Sequence, residues 1–152
     1  MKEDRPTIKN GAGGPRHDRY AAAIKRRNEA MDKGFYIEAI ALEESLIADR
    51  LESLTNEITN GGWSYKPAGK LAWNLLTNYQ SDLNVELIKS IKQIQGWCRS
   101  RNTAIHRMAK LDPKMKSSFD NDYASFQTVA EEGERVFRGI DSAIRKYRNA
   151  KS

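Results

Sequence analysis

At 152 residues the chain is long enough to bury one hydrophobic core but not two. Hydrophobic residues make up 39% and charged residues 30%, and no run approaches the roughly 18 uninterrupted apolar residues of a membrane span, so no membrane partner is expected. Cys98 is the single cysteine and excludes an internal disulfide, while two histidines are too few for an ordinary Cys/His zinc site; neither a metal nor another cofactor is expected.

The opening Lys2-Glu3-Asp4-Arg5 leads into Gly and Pro rather than into a basic-then-apolar signal, and with the lone cysteine this points to a reducing, cytoplasmic setting. A net charge of +6 and a pI near 9.5 favour polyanionic partners, nucleic acid above all. The charge is unevenly spread. Residues 89–116 carry Lys89, Lys92, Arg99, Arg101, Arg107, Lys110, Lys114 and Lys116 against one acid, Asp112. Residues 35–60 carry Glu38, Glu43, Glu44, Asp49, Glu52 and Glu57 against one base, Arg50. Two such helices can attract each other, or the basic one can face a ligand.

In chain order, residues 1–16 hold Pro6, Pro15 and Gly11-Ala12-Gly13-Gly14 with almost nothing to bury, and read as a flexible tail before one helical domain over 17–152. Asp18 caps a first helix over about 19–33, with Tyr20, Ile24 and Met31 inward and Lys33-Gly34 as its stop. A second runs over about 35–60, where Ile37, Ile40, Ile47, Leu51, Leu54 and Ile58 alternate three- and four-residue steps until Asn60-Gly61-Gly62. Trp63, Tyr65, Trp73 and Tyr79 then lie among Gly, Ser, Asn and Pro67, with a short helix from Pro67 to about Leu76; the aromatics are expected to lid one end of the core rather than stack bases. A third long helix spans about 83–111, with Leu87, Ile91, Ile94, Cys98, Ile105 and Met108 on one seam and Asp112-Pro113 as its end. A fourth runs from Ser117 or Ser118 to about Arg148 through Phe119, Tyr123, Phe126, Ala130, Gly133, Phe137, Ile140, Ile144 and Tyr147. With no strand period and no repeat, the fold class is all-α: an antiparallel helical bundle of four to five helices with an aromatic-rich insertion.

Two charges break the apolar seams. Arg101 falls on the third helix's stripe and Glu44 on the second's, and an unpaired buried charge is costly. Arg101 can snorkel, its stem on apolar surface and its head in water. Glu44 can sit at an edge if the seam is rotated by one residue, or pair with Arg101. His106 follows Arg101 by about 140° around the helix, so one chain converges the two poorly on a single phosphate, whereas a twofold pair of chains does so well.

Arg101-Asn102-Thr103-Ala104-Ile105-His106 resembles the Arg-polar-x-x-x-His signature of HEPN domains (higher eukaryotes and prokaryotes nucleotide-binding), late in a long penultimate helix of an all-α domain. The resemblance covers about residues 18–150 in architecture and Arg101 to His106 in motif. It implies a homodimeric, metal-independent endoribonuclease of a bacterial or phage-related defence or toxin system. On that reading His106 is the general acid/base on the RNA 2′-hydroxyl or the leaving 5′-oxygen, and Arg101 holds the scissile phosphate. Asn102 orients either group, Glu44 supports the site, and Arg99, Arg107 and Lys110 bind backbone phosphates. The product is a 2′,3′-cyclic phosphate. The resemblance allows an antitoxin or a larger defence complex as partner. Members restrained by a modifying nucleotidyltransferase carry tyrosine two residues beyond the histidine, where this chain has Met108, which argues against that form of control. The alternatives are a non-catalytic HEPN-like module that binds RNA or nucleotide or scaffolds a larger complex, and an unrelated helical adaptor carrying the motif by accident.

Overall fold

Helical periodicity becomes five α-helices in the computed structural model, which describes residues 13–109 and 119–151. They are α1 (Gly13–Asp32), α2 (Tyr36–Thr59), α3 (Ala68–Asn78), α4 (Val85–Ala109) and α5 (Phe119–Lys151), with a 3-10 turn at Gln80–Asp82 before α4. There is no strand among the described residues. No helix among them is long and apolar enough to cross a membrane.

The helix ends follow local chemistry. α1 begins at Gly13, so Gly13 to Arg16, expected in the tail, are helical, and Asp18 lies inside the helix rather than capping it. Pro15 is tolerated there because first-turn N–H groups have no intrahelical acceptor. The tail expected over residues 1–12 lies outside the described residues, as do Lys110, Lys114, Lys116, Asp112-Pro113 and Ser117-Ser118. Gly34 takes φ +75, and the Phe35 and Gly34 N–H groups donate to the Ala30 and Met31 carbonyls, a Schellman closure that turns α1 into α2. α2 ends on left-handed Asn60. Asn84 caps α4 by accepting from the Leu87 N–H at 2.9 Å.

α5 packs most extensively against α4 and then α2, and α1 covers α2. Cross-contacts fix the directions. Glu43, Arg50 and Glu57 of α2 meet Gly133, Asp141 and Arg148 of α5 in the same order, so these two helices run parallel. α4 runs antiparallel to α5, since Trp97 meets Val129 while Glu86 meets Lys146. Ile47, Leu51, Leu54, Leu87, Ile91, Ile94, Phe126, Ile140 and Ile144 form the core with Trp97, whose indole N–H donates to the Val129 carbonyl at 2.9 Å.

Expectations about the core change at three places. Ala30 and Arg27 are the buried positions of α1, while Tyr20, Ile24 and Met31 are half-buried, Tyr20 beside Phe137 and Met31 against the core. Of the insertion's aromatics, Tyr79 packs against the core, whereas Trp63, Tyr65 and Trp73 are exposed; α3 docks through Ala68, Leu71, Ala72 and Leu75, which leaves Trp73 on its outer face. Ile37 and Ile105, expected on the seams, are 47% and 45% exposed. The cause is the course of the chain after α2: residues 60–67 run back along α2, and α3 then starts level with Glu44 and Cys98 and runs towards the start of α4. α2 and α4 are therefore uncovered by α3 on the far side of Glu44 and Arg101, where Ile37 and Ile105 lie.

Buried beside this core is an Arg27–Glu43 contact that the periodicity did not reveal. Arg27 Nε donates to Glu43 Oε2 at 2.8 Å, its Nη1 lies 3.3 Å from Glu134, and its Nη2 donates to the Ala130 carbonyl at 3.3 Å. Gly133 makes room for it: an added Cβ would stand 2.8 Å from Glu43 Cδ and 2.9 Å from Trp97 Cζ2. Burial pushes the Glu43 carboxyl up to about 8, against the opposing pull of Arg27.

Candidate functional site

Arg101 and Glu44, the two charges that break the seams, meet. Arg101 Nη1 donates to Glu44 Oε2 in a close ion pair, with side-chain exposures of 15% and 23%. The other Glu44 oxygen accepts from the Ala68 N–H at 2.9 Å, so one carboxylate caps α3 and neutralises an arginine of α4. Arg101 Nε and Nη2 both donate to Asn102 Oδ1, at 3.3 and 3.2 Å, and its guanidinium carbon lies 5.4 Å from the Trp97 ring centroid. Of the five guanidinium N–H groups, three are used here, which leaves one on each terminal nitrogen without a hydrogen bond among the described residues.

The remaining motif residues sit further along the same helix. His106 is exposed on the last described turns of α4 and forms no hydrogen bond or ion pair among the described residues. It lies about 140° around the helix from Arg101, so the two side chains of one subunit do not converge. Asn102 is exposed between them in direction. Met108 is partly buried and packs against the core. Cys98, one turn before Arg101, is buried, and burial pushes its thiol up to about 11; it is no nucleophile at neutral pH.

Arg99 and Arg107 are exposed on another face of α4, where with Ser100, Thr103, Ser125 and Thr128 they line an open groove against α5 of about 670 Å³. Lys110, the third expected phosphate ligand, lies outside the described residues. The opposite charges of α2 and α4 meet at Glu44–Arg101. Otherwise the α2 acids are taken by other elements: Glu38 by Arg26, Glu43 by Arg27, Glu57 by Arg148 and Glu52 by Ser64. Lys89, Lys92, Arg99 and Arg107 of α4 have no acid partner among the described residues, so this helix presents net positive charge outward. No group of three His, Cys, Asp or Glu side chains able to hold a metal occurs among the described residues.

No protein-family model, curated protein or solved structure matches the chain.

Proposed function

We propose that the protein is a metal-independent endoribonuclease of HEPN type whose active form is a dimer. The observation that carries this reading is the placing of Arg101. It is held by Glu44 and Asn102 at the edge of the apolar face, with two N–H groups unspent, on the same helix end as an exposed and unengaged His106. A second copy docked over the uncovered end of α2 and α4 would bury the exposed Ile37 and Ile105 and bring both motifs to one cleft, which one chain does not achieve.

In that cleft Arg101 binds the scissile phosphate and offsets the charge that builds on it. One His106 takes the proton from the RNA 2′-hydroxyl as the 2′-oxygen bonds to phosphorus, and His106 of the partner subunit gives a proton to the departing 5′-oxygen. The phosphorus–5′-oxygen bond breaks, and a 2′,3′-cyclic phosphate remains. Asn102 fixes the guanidinium plane, and the outward cations of α4 hold flanking phosphates without reading sequence.

The test is RNA cleavage with EDTA present by wild type, Arg101→Ala and His106→Ala, with the molecular size of each measured alongside. Wild type is expected to cleave as a dimer, and His106→Ala to lose on the order of 100-fold or more. Because His106 is exposed, that loss comes without a loss of fold. Equal cleavage by the variants, or intact RNA with wild type, sinks the reading. A second reading is favoured by the Glu44–Arg101 pair, which accounts for the arginine with no ligand at all: a non-catalytic module that binds RNA or nucleotide. RNA bound but left intact is its outcome.

A further inference from the structure

Residues 63–67 pass over α2 as a loop with two anchors on that helix. Glu52, buried, accepts from the Ser64 N–H and from Ser64 Oγ at 2.9 Å. Glu44, about two turns earlier on α2, accepts from the Ala68 N–H at 2.9 Å. Between them Tyr65 takes φ 54, a left-handed conformation an aromatic residue rarely adopts, and the residue is 91% exposed. A ring held out by a strained backbone contributes nothing to the core. Such strain persists where the surroundings over-determine it, which is characteristic of binding sites.

Below this loop is a cleft of about 630 Å³, with Trp63, Tyr65, Lys66 and Pro67 on one wall and Arg19 of α1 on another. Two of its acids are spent on cations, Glu44 on Arg101 and Asp49 on Arg50, while Glu52, hydrogen-bonded to the neutral Ser64, keeps its charge. Its own cations, Arg19 and Lys66, have no hydrogen bond or ion pair among the described residues. Two unpaired cations, one more than the single acid left without a counter-charge, beside two exposed aromatic side chains suit a ligand with a flat π-face and an anionic group. We infer that the cleft between the Trp63–Pro67 loop and α1 binds an unpaired nucleotide, its base against Tyr65 and Trp63 and its phosphate on Arg19 and Lys66. A duplex does not fit, because its bases are stacked on each other and present no free face.

The cleft adjoins Arg101 through one side chain, since Glu44 both lines it and pairs with that arginine. Resting on the ribonuclease reading, the inference makes the substrate single-stranded RNA, with one base held in the cleft while a nearby phosphate reaches Arg101. The binding itself does not depend on cleavage.

The test uses the full chain in EDTA at about 0.1 M salt, with a fluorescent 2′-O-methyl hexaadenylate, which lacks the nucleophile and stays intact. Anisotropy is expected to show that Tyr65→Ala and Trp63→Ala each weaken binding by about tenfold or more, the size of a lost base stack. Arg19→Ala with Lys66→Ala should flatten the salt dependence, and Trp73→Ala, exposed but outside the cleft, should bind as wild type. The probe annealed to its complement should compete poorly. Competition by AMP as effective as by the hexamer would assign the cleft to a free mononucleotide rather than RNA. The inference is overturned if wild type does not bind the probe at tens of micromolar, if Tyr65→Ala and Trp63→Ala are neutral, or if the duplex competes as well as the single strand. The two readings fail separately. Cleavage of ordinary RNA with a neutral Tyr65→Ala removes the cleft alone, whereas Tyr65-dependent binding without cleavage removes the nuclease alone.

Discussion

Glu44→Ala should cost more stability than Arg101→Ala, although the two residues form one ion pair. Alanine at 44 removes the acceptor for the Ala68 N–H at the start of α3, a capping loss of about 1 kcal/mol. It also leaves Arg101, whose side chain is 15% exposed, without its counter-charge; discounted for the remaining solvent contact, this costs about 1–3 kcal/mol. The sum is about 2–4 kcal/mol, or a melting temperature lower by about 5–15 °C for a domain of this size. Arg101→Ala loses the pair and the contact with Trp97, but Glu44 keeps its bond to Ala68, so about 1–2 kcal/mol is expected. The double variant should fall short of additivity by about 1–2 kcal/mol, since the pair can be lost only once. Glu44→Gln, whose amide oxygen still accepts from Ala68, should recover the capping part and not the charge part. Urea titrations followed by circular dichroism at one fixed protein concentration measure all of these, the fixed concentration removing any contribution from association. Additive losses, or an Arg101→Ala cost equal to that of Glu44→Ala, would refute the shared-carboxylate arrangement.

Gly133→Ala tests the buried Arg27–Glu43 pair. Alanine gains about 1 kcal/mol of helix propensity, but its Cβ meets Glu43 and Trp97, neither of which is free to move: Arg27 holds the first and the Val129 carbonyl the second. Net destabilisation of about 1–3 kcal/mol in a urea titration is expected, and a more stable variant would show that the pair yields. The Glu43 carboxyl, at about 8 in the folded chain, lies above the ordinary glutamate value, about 4.3, of the unfolded chain. Its contribution is therefore complete below about pH 4 and declines as pH rises towards 8, because the unfolded state ionises first. Calorimetry across pH 5–8 should show this decline, and Glu43→Gln should lack it; an unchanged slope in the variant would place its origin elsewhere.

Arg101 and Glu44 were legible in the sequence because each interrupts an apolar period, and a charge in a stripe must find a partner or a cleft. Their pairing was open until α2 and α4 were placed antiparallel. Arg27–Glu43 was not legible. Arg27 falls in a short, weakly apolar helix whose pattern did not single it out, and Glu43 sits beside the stripe defined by Ile40 and Ile47, on an arc that becomes interior only because α1 and α5 both pack on α2. The aromatic insertion was misplaced for a related reason. Trp63 and Tyr65 resemble core residues by type, but a loop has no period to say which way a ring points, and Glu44 and Glu52 fasten this one with both residues exposed. Trp73 lies on the outer face of α3, a helix too short for its stripe to be read from the sequence.

The six residues from Arg101 to His106 divide along the same line. Helical periodicity alone determined that they lie on one long helix, with the arginine in the apolar seam and the histidine about 140° from it, because that angle depends only on the turn of an α-helix. The tertiary structure alone decided what surrounds them. α3 starts at Glu44 and runs away from the motif, so the seam surfaces there with Ile37 and Ile105 uncovered, and one carboxylate ties the arginine to the loop that carries Tyr65. A pattern along one helix carries no information about where a neighbouring helix begins.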